Sequence, residues 1–241
     1  MLKGRTILAV VTARKGSKGI PDKNMVLLKG RSLIGWAGAV LAQLHFLDAK
    51  IISTDSPEYA KEGEKYGLDA PFLRPAHLST DEASSIDTIH HALEESENYY
   101  KFRFDIVIIV EPTSPLRKPE DIERAIMKLI TTGADSVVTV SRLDKKYHPL
   151  KVLTILGDRL SFLNTEGERI YRRQMLDELY WRNGVCYVLS RECLFMKKIF
   201  TANTVAEITE HPVVNIDYLL ELKWAEKLLE LEEDGFDQRN L

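Results

Sequence analysis

The sequence predicts an α/β protein with a mainly parallel sheet covered by helices, and two observations support this fold class. Apolar runs of strand length alternate along the chain with segments in which apolar residues recur at helical spacing, as expected for parallel strands joined by helices. No internal repeat and no low-complexity segment interrupts this alternation. The length of 241 residues suits one large domain over 1–241, with or without a small appendage.

The first half of the chain contains two predicted strands and three predicted helices. A strand over 7–11 is followed, after a basic loop, by a helix over 32–46 whose apolar residues share one face. A second strand spans 51–55. Residues 56–58 (Ser-Pro-Glu) start the next helix, because they supply an N-cap, a proline at the first position and an acidic first turn. The serine pair at 84–85 offers N-cap candidates for the third helix.

The second half begins with the most strongly apolar strand, over 105–110, which suits the centre of a sheet. A helix over 119–132 follows, with proline near its start and glycine after its end. Strands over 136–141 and 185–190 come next, and an amphipathic helix over about 218–233 completes the pattern. The alternation therefore extends over nearly the whole chain.

Residues 142–182 depart from this pattern. Charges, turns and a hairpin-like Asn-Thr-Glu-Gly sequence at 164–167 interrupt short apolar pieces. This segment is the best candidate for an excursion from the main sheet.

Composition and charge exclude several classes of function. The formal net charge is −3, so a general affinity for nucleic acid is not expected. The first apolar run is too short for the core of a signal peptide, and no stretch approaches the roughly 18 apolar residues of a membrane span. We therefore expect a cytoplasmic protein without membrane contact. The two cysteines, Cys186 and Cys193, are too few for a disulfide framework and lack metal-ligand spacing.

The most informative segment is the loop over 12–24, which follows the first strand and carries four basic side chains, two glycines and a serine. Loops at the carboxyl ends of buried strands bind ligands in α/β proteins, and backbone amides with Arg and Lys bind phosphate. The loop lacks both the P-loop pattern and Gly-x-Gly-x-x-Gly. We predict a nucleotide polyphosphate site formed by backbone amides with Arg14, Lys18 and Lys23. A solvated basic surface loop is the alternative.

Other polar segments are placed to share this site. Three of them, at 53–57, 111–117 and 183–184, lie beside predicted strands, and a fourth, at 215–217, precedes the last helix. In a doubly wound sheet such loops gather at one edge. The sequence contains no serine-hydrolase elbow, no paired-histidine zinc motif and no cysteine cluster.

The basic loop is also the first of a series of short blocks spread over nearly the whole chain. The blocks are Ala13-Arg14-x-x-Ser17-Lys18-Gly19-x-Pro21-x-Lys23-Asn24, Ser53-Thr54-Asp55, Leu73-Arg74-Pro75-Ala76, Leu78-Ser79-Thr80-Asp81-x-Ala83-Ser84-Ser85, Pro112-Thr113-Ser114-Pro115-Leu116-Arg117, His148-Pro149-Leu150-Lys151, Arg172-Arg173-Gln174, Asn183-Gly184-x-x-Tyr187 and Ile216-Asp217. In this order they resemble the N-acylneuraminate cytidylyltransferases, or CMP-sialic acid synthetases. Each block is weak alone, whereas the ordered set is specific.

The resemblance implies a three-layer Rossmann-like nucleotidyltransferase fold, in which the excursion at about 142–182 acts as the dimerisation arm of a homodimer. It implies that CTP and an acidic nine-carbon sugar give the CMP-sugar and pyrophosphate, with Mg²⁺ as the cofactor. An anomeric hydroxyl would attack the α-phosphorus, and cations and metal would stabilise the transition state.

The resemblance also assigns roles by position. Arg14, Ser17, Lys18, Lys23 and Asn24 would hold the triphosphate, Arg74 and Ser85 would lie by the base and ribose, Glu111, Lys151, Arg173 and Tyr187 would contact the sugar, and Asp217 with Asn215 would bind the metal. Arg14, Lys23 and Asp217 would be the catalytic residues.

Structural alternatives stand beside these roles when the residues are taken alone. Arg74 could cap a loop, Lys151 and Arg173 could be solvated charges, Tyr187 could pack in a strand, and Asp217 could be the N-cap of the last helix.

Two residues depart from the family pattern. Glu111 stands where the resembling synthetases usually have glutamine, and a carboxylate there would repel a substrate carboxylate while accepting hydrogen bonds from hydroxyls or amides. Asn215 stands where an aspartate is usual, which removes one negative charge from the expected metal site but keeps an oxygen ligand.

Several functions remain open from the sequence. Within the enzyme class they are CMP or GMP transfer to legionaminic, pseudaminic or a shorter keto-deoxy acid. From another class comes a non-catalytic nucleotide- or sugar-binding relative.

Overall fold

The computed structural model of the chain describes residues 1–16 and 19–235. Within these residues, strands and helices alternate as the sequence predicts. The strands are β1 (Ile7–Thr12), β2 (Leu27–Leu28), β3 (Arg31–Ser32), β4 (Ala49–Ser53), β5 (Ile106–Val110), β6 (Ser136–Arg142), β7 (Leu153–Leu156), β8 (Arg159–Phe162), β9 (Tyr180–Ser190) and β10 (Thr204–Ile208). The helices are α1 (Leu33–Ala42), α2 (Pro57–Glu64), α3 (Ser85–Tyr100), α4 (Pro119–Thr132), α5 (Arg191–Phe195) and α6 (Leu219–Glu233).

Six strands form one sheet in the order β10-β6-β9-β5-β1-β4. β1 pairs in parallel with β4 and β5, and β10 pairs in parallel with β6. β9 lies between β6 and β5 and is antiparallel to both. Every residue of β5 is buried, as expected of a continuous apolar run at the centre of a sheet. The prediction of a mainly parallel sheet is confirmed.

Helices cover both faces of this sheet. Successive side chains of a strand point to opposite faces, and β1 accordingly divides its residues between two apolar clusters. Ile7 and Val11 pack in the cluster that includes α1, α2 and α4. Leu8 and Val10 pack in the cluster that includes α3 and α5. These three layers confirm the predicted Rossmann-like α/β class.

A third apolar cluster holds α6 against the carboxyl edge of the parallel strands. It joins Ile20 of the first loop, Leu116 after β5, Val214 and Ile216 before α6, and Ala225 within α6. Because these side chains are buried in one cluster, the first loop and the segment before α6 lie at the same edge of the sheet.

Helices α2 and α3 begin directly after predicted capping residues, whereas the predicted helix ends are less accurate. The hydroxyl oxygens of Ser56 and Ser84 accept hydrogen bonds from backbone amides of α2 and α3, at 3.4 and 3.3 Å. α4 has the predicted bounds, whereas α1 ends at Ala42, four residues before the predicted end. Among the described residues, none of the helices combines the length and apolar composition that crossing a membrane requires.

Two strand predictions needed correction, and one strand of the main sheet was not predicted. The second main strand is Ala49–Ser53 rather than 51–55, so Thr54 and Asp55 belong to the loop after it. β9 begins at Tyr180, earlier than predicted, because its pairing with β6 resumes beyond a bulge. β10 was not predicted, since this edge strand is short, half-exposed and carries Glu207 in place of a continuous apolar run.

Residues 143–179 leave the sheet between β6 and β9, near the predicted bounds of the excursion. They contain the β7/β8 hairpin, all but one of whose strand residues are exposed. The predicted hairpin turn at 164–167 was wrong, because the chain turns at 157–158 and the later residues enter a short 3₁₀ helix, Thr165–Arg169. A dimerisation role for this arm stays a prediction.

Candidate active site

A cleft of about 620 Å³ opens at the edge of the sheet where β1, β4 and β5 end. This is the edge at which α/β sheets bind ligands. Eight of the residues assigned to a site from the sequence line it: Arg14, Lys23, Asn24, Arg74, Ser85, Glu111, Tyr187 and Asp217. The fold therefore brings together residues that are up to about 200 positions apart in the chain.

The backbone of the first loop is held by its neighbours. The amide of Ala13 donates to the carbonyl of Ser53 at 3.1 Å, and the amide of Lys15 donates to Oδ1 of Asp55 at 2.9 Å. The side-chain amide of Asn24, which is buried, donates to the carbonyl of Arg14 at 3.1 Å. Asn24 thus shapes the loop from within while lining the cleft.

Two cations of this loop are paired with carboxylates at the border of the cleft. Arg14 forms an ion pair with Asp81. Nζ of Lys23 lies 2.6 Å from Oδ1 of Asp217. A polyanion that enters the cleft would compete with these carboxylates for the same cations. Ser17 and Lys18, also assigned to phosphate binding, lie outside the described residues.

Arg74 forms part of the floor of the cleft. Its side chain is only 6% exposed, and its Nε donates to Oγ of Ser53 at 3.1 Å. Burial lowers the pKa of Arg74 to about 10, with Asp55 opposing this change and Arg14 adding to it. The guanidinium therefore remains charged at neutral pH while holding the end of β4. Arg74 therefore stabilises the loop after β4, and because it also lines the cleft, it can contact a ligand as well.

Ser85 is the first residue of α3 and lines the cleft. The preceding Ser84 serves as the N-cap, so the hydroxyl of Ser85 is not used in capping. Its side chain is exposed and borders the cleft.

Glu111 follows β5 and lies against the backbone of β9. Gly184 has φ of 69°, and a Cβ there would lie 3.2 Å from Oε2 of Glu111 and 2.9 Å from Oγ of Ser114. Only glycine combines this left-handed conformation with such close neighbours. Burial raises the pKa of Glu111, and the charges of Arg117 and Lys23 oppose that rise.

The buried guanidinium of Arg117 fixes this floor. Its Nε donates to the carbonyl of Val185 at 2.9 Å, and its Nη2 donates to the carbonyl of Glu111. Because Arg117 is 3% exposed, it acts on the site through the backbone rather than through a ligand. Burial lowers its pKa to about 10, and neighbouring acidic groups oppose the change.

Tyr187 and Arg182 both line the cleft from β9. Burial raises the pKa of Tyr187, and the nearby Glu111 adds to this effect. Arg182 was not assigned to the site from the sequence, because it lay in the segment 142–182 that was predicted to leave the sheet. In the structure β9 begins at Tyr180, and across a register shift Tyr187 pairs with Val138 and Arg182 with Val140, two same-face positions of β6. The glycine at 184 was the signal that could have indicated it.

The segment before α6 presents Asp217 to the cleft. The amide of Ile216 donates to the carbonyl of Thr113 at 2.8 Å. The amides of Asp217 and Tyr218 donate to Oε2 of Glu221 at 2.6 and 2.8 Å, and Tyr218 is the N-cap residue of α6. The N-cap alternative for Asp217 was therefore wrong, and its carboxylate is available to Lys23.

Three residues assigned from the sequence do not line the cleft of their own chain. Lys151 and Arg173 lie on the arm and are exposed, and Nη2 of Arg173 lies 3.0 Å from Oδ1 of Asp144. The Nδ2 of Asn215 would lie 3.3 Å from a Cβ at Gly184, and its Oδ1 is buried without a hydrogen-bond partner in the described part of the chain. Their roles in sugar and metal binding stay predictions.

Within residues 1–16 and 19–235, no cluster of three or more His, Cys, Asp or Glu side chains is arranged to hold a metal ion. Both cysteines are buried and unpaired there, and burial raises the pKa of Cys186 to about 12. Of the two residues assigned to the metal from the sequence, Asp217 would offer a carboxylate and Asn215 a neutral oxygen, while the carboxyl groups of Asp81 and Glu111 also line the cleft. Such a donor set suits a metal that is also held by a ligand's phosphates.

Comparison with known proteins adds three kinds of similarity. Residues 8–234 match a family model described as cytidylyltransferase. The chain is 31% identical over 232 residues to a CMP-N,N'-diacetyllegionaminic acid synthase of Legionella pneumophila, covering 95% of this chain and 98% of that protein. It is 32% identical over 202 residues to an N-acylneuraminate cytidylyltransferase of Streptococcus agalactiae, covering 83% of this chain and 47% of that protein. The chain thus spans about half the length of the streptococcal relative.

Solved structures share the fold at low sequence identity. A CMP:2-keto-3-deoxy-manno-octonic acid synthetase in complex with CTP superposes with a TM-score of 0.68 at 16% identity, covering 94% of this chain and 99% of that one. A 4-diphosphocytidyl-2C-methyl-D-erythritol synthase from Anaerococcus prevotii superposes with a TM-score of 0.63 at 14% identity, covering 95% and 100%.

Proposed function

The chain belongs to the cytidylyltransferase family, and from this premise we propose that it activates a sialic-acid-like nonulosonic acid with CTP, giving the CMP-sugar and pyrophosphate. The observation that carries the proposal is the meeting of Arg14, Lys23 and Asp217 at one cleft. Relatives named for CMP transfer to nine-carbon acids align over most of the chain and support the choice of substrates.

The positions of the cleft residues suggest a role for each of them in the reaction. Arg14 and Lys23 would contact the triphosphate, with Lys23 near the α-phosphate. The anomeric hydroxyl of the sugar attacks the α-phosphorus and loses its proton to water, the bond from the α-phosphorus to the bridging oxygen breaks, and pyrophosphate leaves with the electron pair. Negative charge grows on the phosphate oxygens during this exchange, so a fixed cation such as Lys23 stabilises the transition state.

The donor set at the cleft fits Mg²⁺, which binds through one or two carboxylates plus substrate phosphates. Asp217 would supply the carboxylate, and Asn215, whose buried amide oxygen has no partner in the described residues although it lies outside the cleft lining, would be a further oxygen donor. When bound, the ion would neutralise charge on the triphosphate. Lys23, which lies on Asp217 in the ligand-free protein, would then be released to the phosphate.

We propose a homodimer formed through the arm. Ile155 and Leu156 at the tip of the hairpin are 73% and 86% exposed, and apolar side chains this exposed favour burial against another surface. In such a dimer Lys151 and Arg173 would approach the partner's cleft, which would give them the sugar-binding role expected from the sequence. The expected cytoplasmic location stays a prediction.

Legionaminic acid is the second candidate substrate. It is favoured by the relative from Legionella pneumophila, whose length matches that of this chain almost completely. GMP transfer and the shorter keto-deoxy acids have no comparable support. A non-catalytic binding protein is disfavoured because Arg14, Lys23 and Asp217, the residues expected to be catalytic, line the same cleft.

Pyrophosphate release tests the proposal. The protein would be incubated with CTP or GTP, with and without Mg²⁺, and with sialic, legionaminic or a shorter keto-deoxy acid. We expect turnover with CTP and a nine-carbon acid only when Mg²⁺ is present. Binding of CTP without turnover of any combination of nucleotide and sugar acid would support the non-catalytic alternative and contradict the proposal.

A further inference from the structure

The cations that line the cleft differ in what they already contact. Arg14 is paired with Asp81, Lys23 with Asp217, and Arg74 donates to Ser53. In the described portion of the chain, the side chain of Arg182 has neither a hydrogen bond nor an ion pair, and its ring neighbour is Phe200. Among the cleft cations in the described residues, Arg182 is therefore the one whose side-chain donors are all unused.

Arg182 is nevertheless held in place. Its guanidinium carbon lies 5.7 Å from the centroid of the Phe200 ring, a distance at which a cation is attracted to the face of an aromatic ring. Its backbone pairs with Val140 of β6 beyond the bulge. A guanidinium that is positioned by a ring still presents its N–H groups to a planar anion.

The location of Arg182 is separate from the phosphate-binding side. β5 lies between β1, which leads into the first loop, and β9, which carries Arg182. Neighbouring strands are about 4.8 Å apart, so β1 and β9 are roughly 10 Å apart. Glu111, which follows β5, lies between them, and Tyr187 shares the strand and face of Arg182. This side of the cleft can hold a sugar ring.

A sugar acid brings a carboxylate that must be paired when it leaves water. Glu111 makes this requirement stronger, since its own carboxyl lies on the same side of the cleft. Lys151 and Arg173 do not meet the requirement within one chain, because neither lines the cleft and Arg173 is already paired with Asp144. Arg182 has the charge, the free donors and the position.

We propose that Arg182 binds the carboxylate of the acidic sugar and selects acids over neutral sugars. This inference rests on the proposed function, because it names the group that recognises the second substrate. The planar guanidinium would donate two hydrogen bonds to the two carboxylate oxygens. Phe200 acts on this contact as a positioning residue.

The test compares Arg182→Gln and Arg182→Lys with the unchanged protein. Each would be assayed with CTP and the nonulosonic acid that the unchanged protein turns over, and with the methyl ester of that acid. Hydrogen bonds to a charged group contribute enough that KM for the acid should rise about 10- to 100-fold in Arg182→Gln, with KM for CTP unchanged. The preference for acid over ester should fall by the same factor. Arg182→Lys should retain part of this preference, because lysine keeps the positive charge but lacks the planar pair of N–H donors of arginine.

Arg142→Gln is the matched control, since Arg142 is an exposed arginine of β6 that pairs with Glu178 outside the cleft. It should behave as the unchanged protein. An unchanged preference for acid over ester in Arg182→Gln would overturn the inference, as would an equal rise in both KM values.

A second measurement separates this inference from the proposed function. If the unchanged protein turns over no acid, the proposed function fails. Calorimetric titration with N-acetylneuraminate in the presence of CTP then tests Arg182 alone. Binding that is lost in Arg182→Gln and kept in Arg142→Gln would support the assignment, whereas equal binding by both, or none by the unchanged protein, would overturn it.

Discussion

Nζ of Lys23 lies 2.6 Å from Oδ1 of Asp217, which joins the first loop to the segment before the last helix across 194 positions of the chain. The ammonium is largely buried and the carboxylate is largely exposed. The pair places a cation and a potential metal ligand side by side at the cleft. Their proximity ties phosphate binding and metal binding to one point of the structure.

Lys23→Gln should lower kcat about 100- to 1000-fold, because one preorganised contact to a developing negative charge is worth about this much. KM for the sugar should change little. The control is Lys29→Gln, which removes an ion pair with Glu233 of α6 away from the cleft. Steady-state kinetics of pyrophosphate release would measure both, and equal kcat values for the two variants would contradict this role.

Gly19→Ala should damage the site without unfolding the protein. A Cβ at Gly19 would lie 2.3 Å from the carbonyl oxygen of Asp217, so the loop or the segment before α6 must move. A shift near 1 Å can cost about 100-fold in kcat/KM. Gly67→Ala has open space at its Cβ but a φ of 77°, so it should reduce stability and leave kcat/KM unchanged. Normal activity of Gly19→Ala would show that this contact does not position the site.

Glu111→Gln should raise the thermal stability of the protein at pH 7.5. Burial raises the pKa of Glu111, so the folded protein retains this proton more strongly than the unfolded chain and loses stability as the carboxyl ionises. Glutamine removes that cost. The gain in Tm should shrink as the pH falls toward the unfolded pKa of about 4.3. The exposed Glu120→Gln should show no such pH-dependent gain, and a Tm decrease for Glu111→Gln at pH 7.5 would refute the argument.

Asp121→Asn should destabilise the protein at neutral pH. Asp121 is 1% exposed and accepts hydrogen bonds from Nε2 of His211 at 2.8 Å and the amide of Lys118 at 2.9 Å. Burial alone would raise its pKa, but His211, the Lys118 amide and Arg124 together lower it. Such a carboxylate stabilises the fold above its unfolded pKa of about 3.9, and that contribution is lost as the pH falls through the folded value.

Denaturant unfolding would measure this effect. Breaking a buried pair costs about 3–5 kcal/mol at pH 7, and the difference from the unchanged protein should become smaller below about pH 4. Asp158→Asn, in the exposed turn of the hairpin, is the control and should change stability little. A pH-independent loss in Asp121→Asn would contradict the assignment of an ionised Asp121.

The sheet was predictable because its central strands are continuous apolar runs and its helices begin at capping residues. β1, β5 and α4 were placed within a residue or two for this reason. β10 was not predicted because this edge strand buries few of its side chains and therefore needs no continuous apolar run. The hairpin in the arm was not predicted because its residues are almost all exposed and do not divide into a buried and an exposed face.

Most of the candidate site was predictable from polar residues that follow buried strands, supplemented by the family resemblance. Arg182 was not, because it was placed in the excursion over 142–182, whereas pairing with β6 beyond a register shift extends β9 back to Tyr180, and such a shift depends on pairing between strands. The pairing of Lys23 with Asp217 likewise depends on how α6 packs over the first loop. Contacts between distant segments arise from tertiary packing, which local sequence patterns do not determine.

A crystal structure with CTP and Mg²⁺ tests the central claim most directly. We expect the triphosphate to lie along residues 12–24, with phosphate oxygens within hydrogen-bond distance of Arg14 and Lys23 and with Lys23 withdrawn from Asp217. Nucleotide bound elsewhere, with Lys23 still on Asp217 and the loop facing solvent, would contradict it.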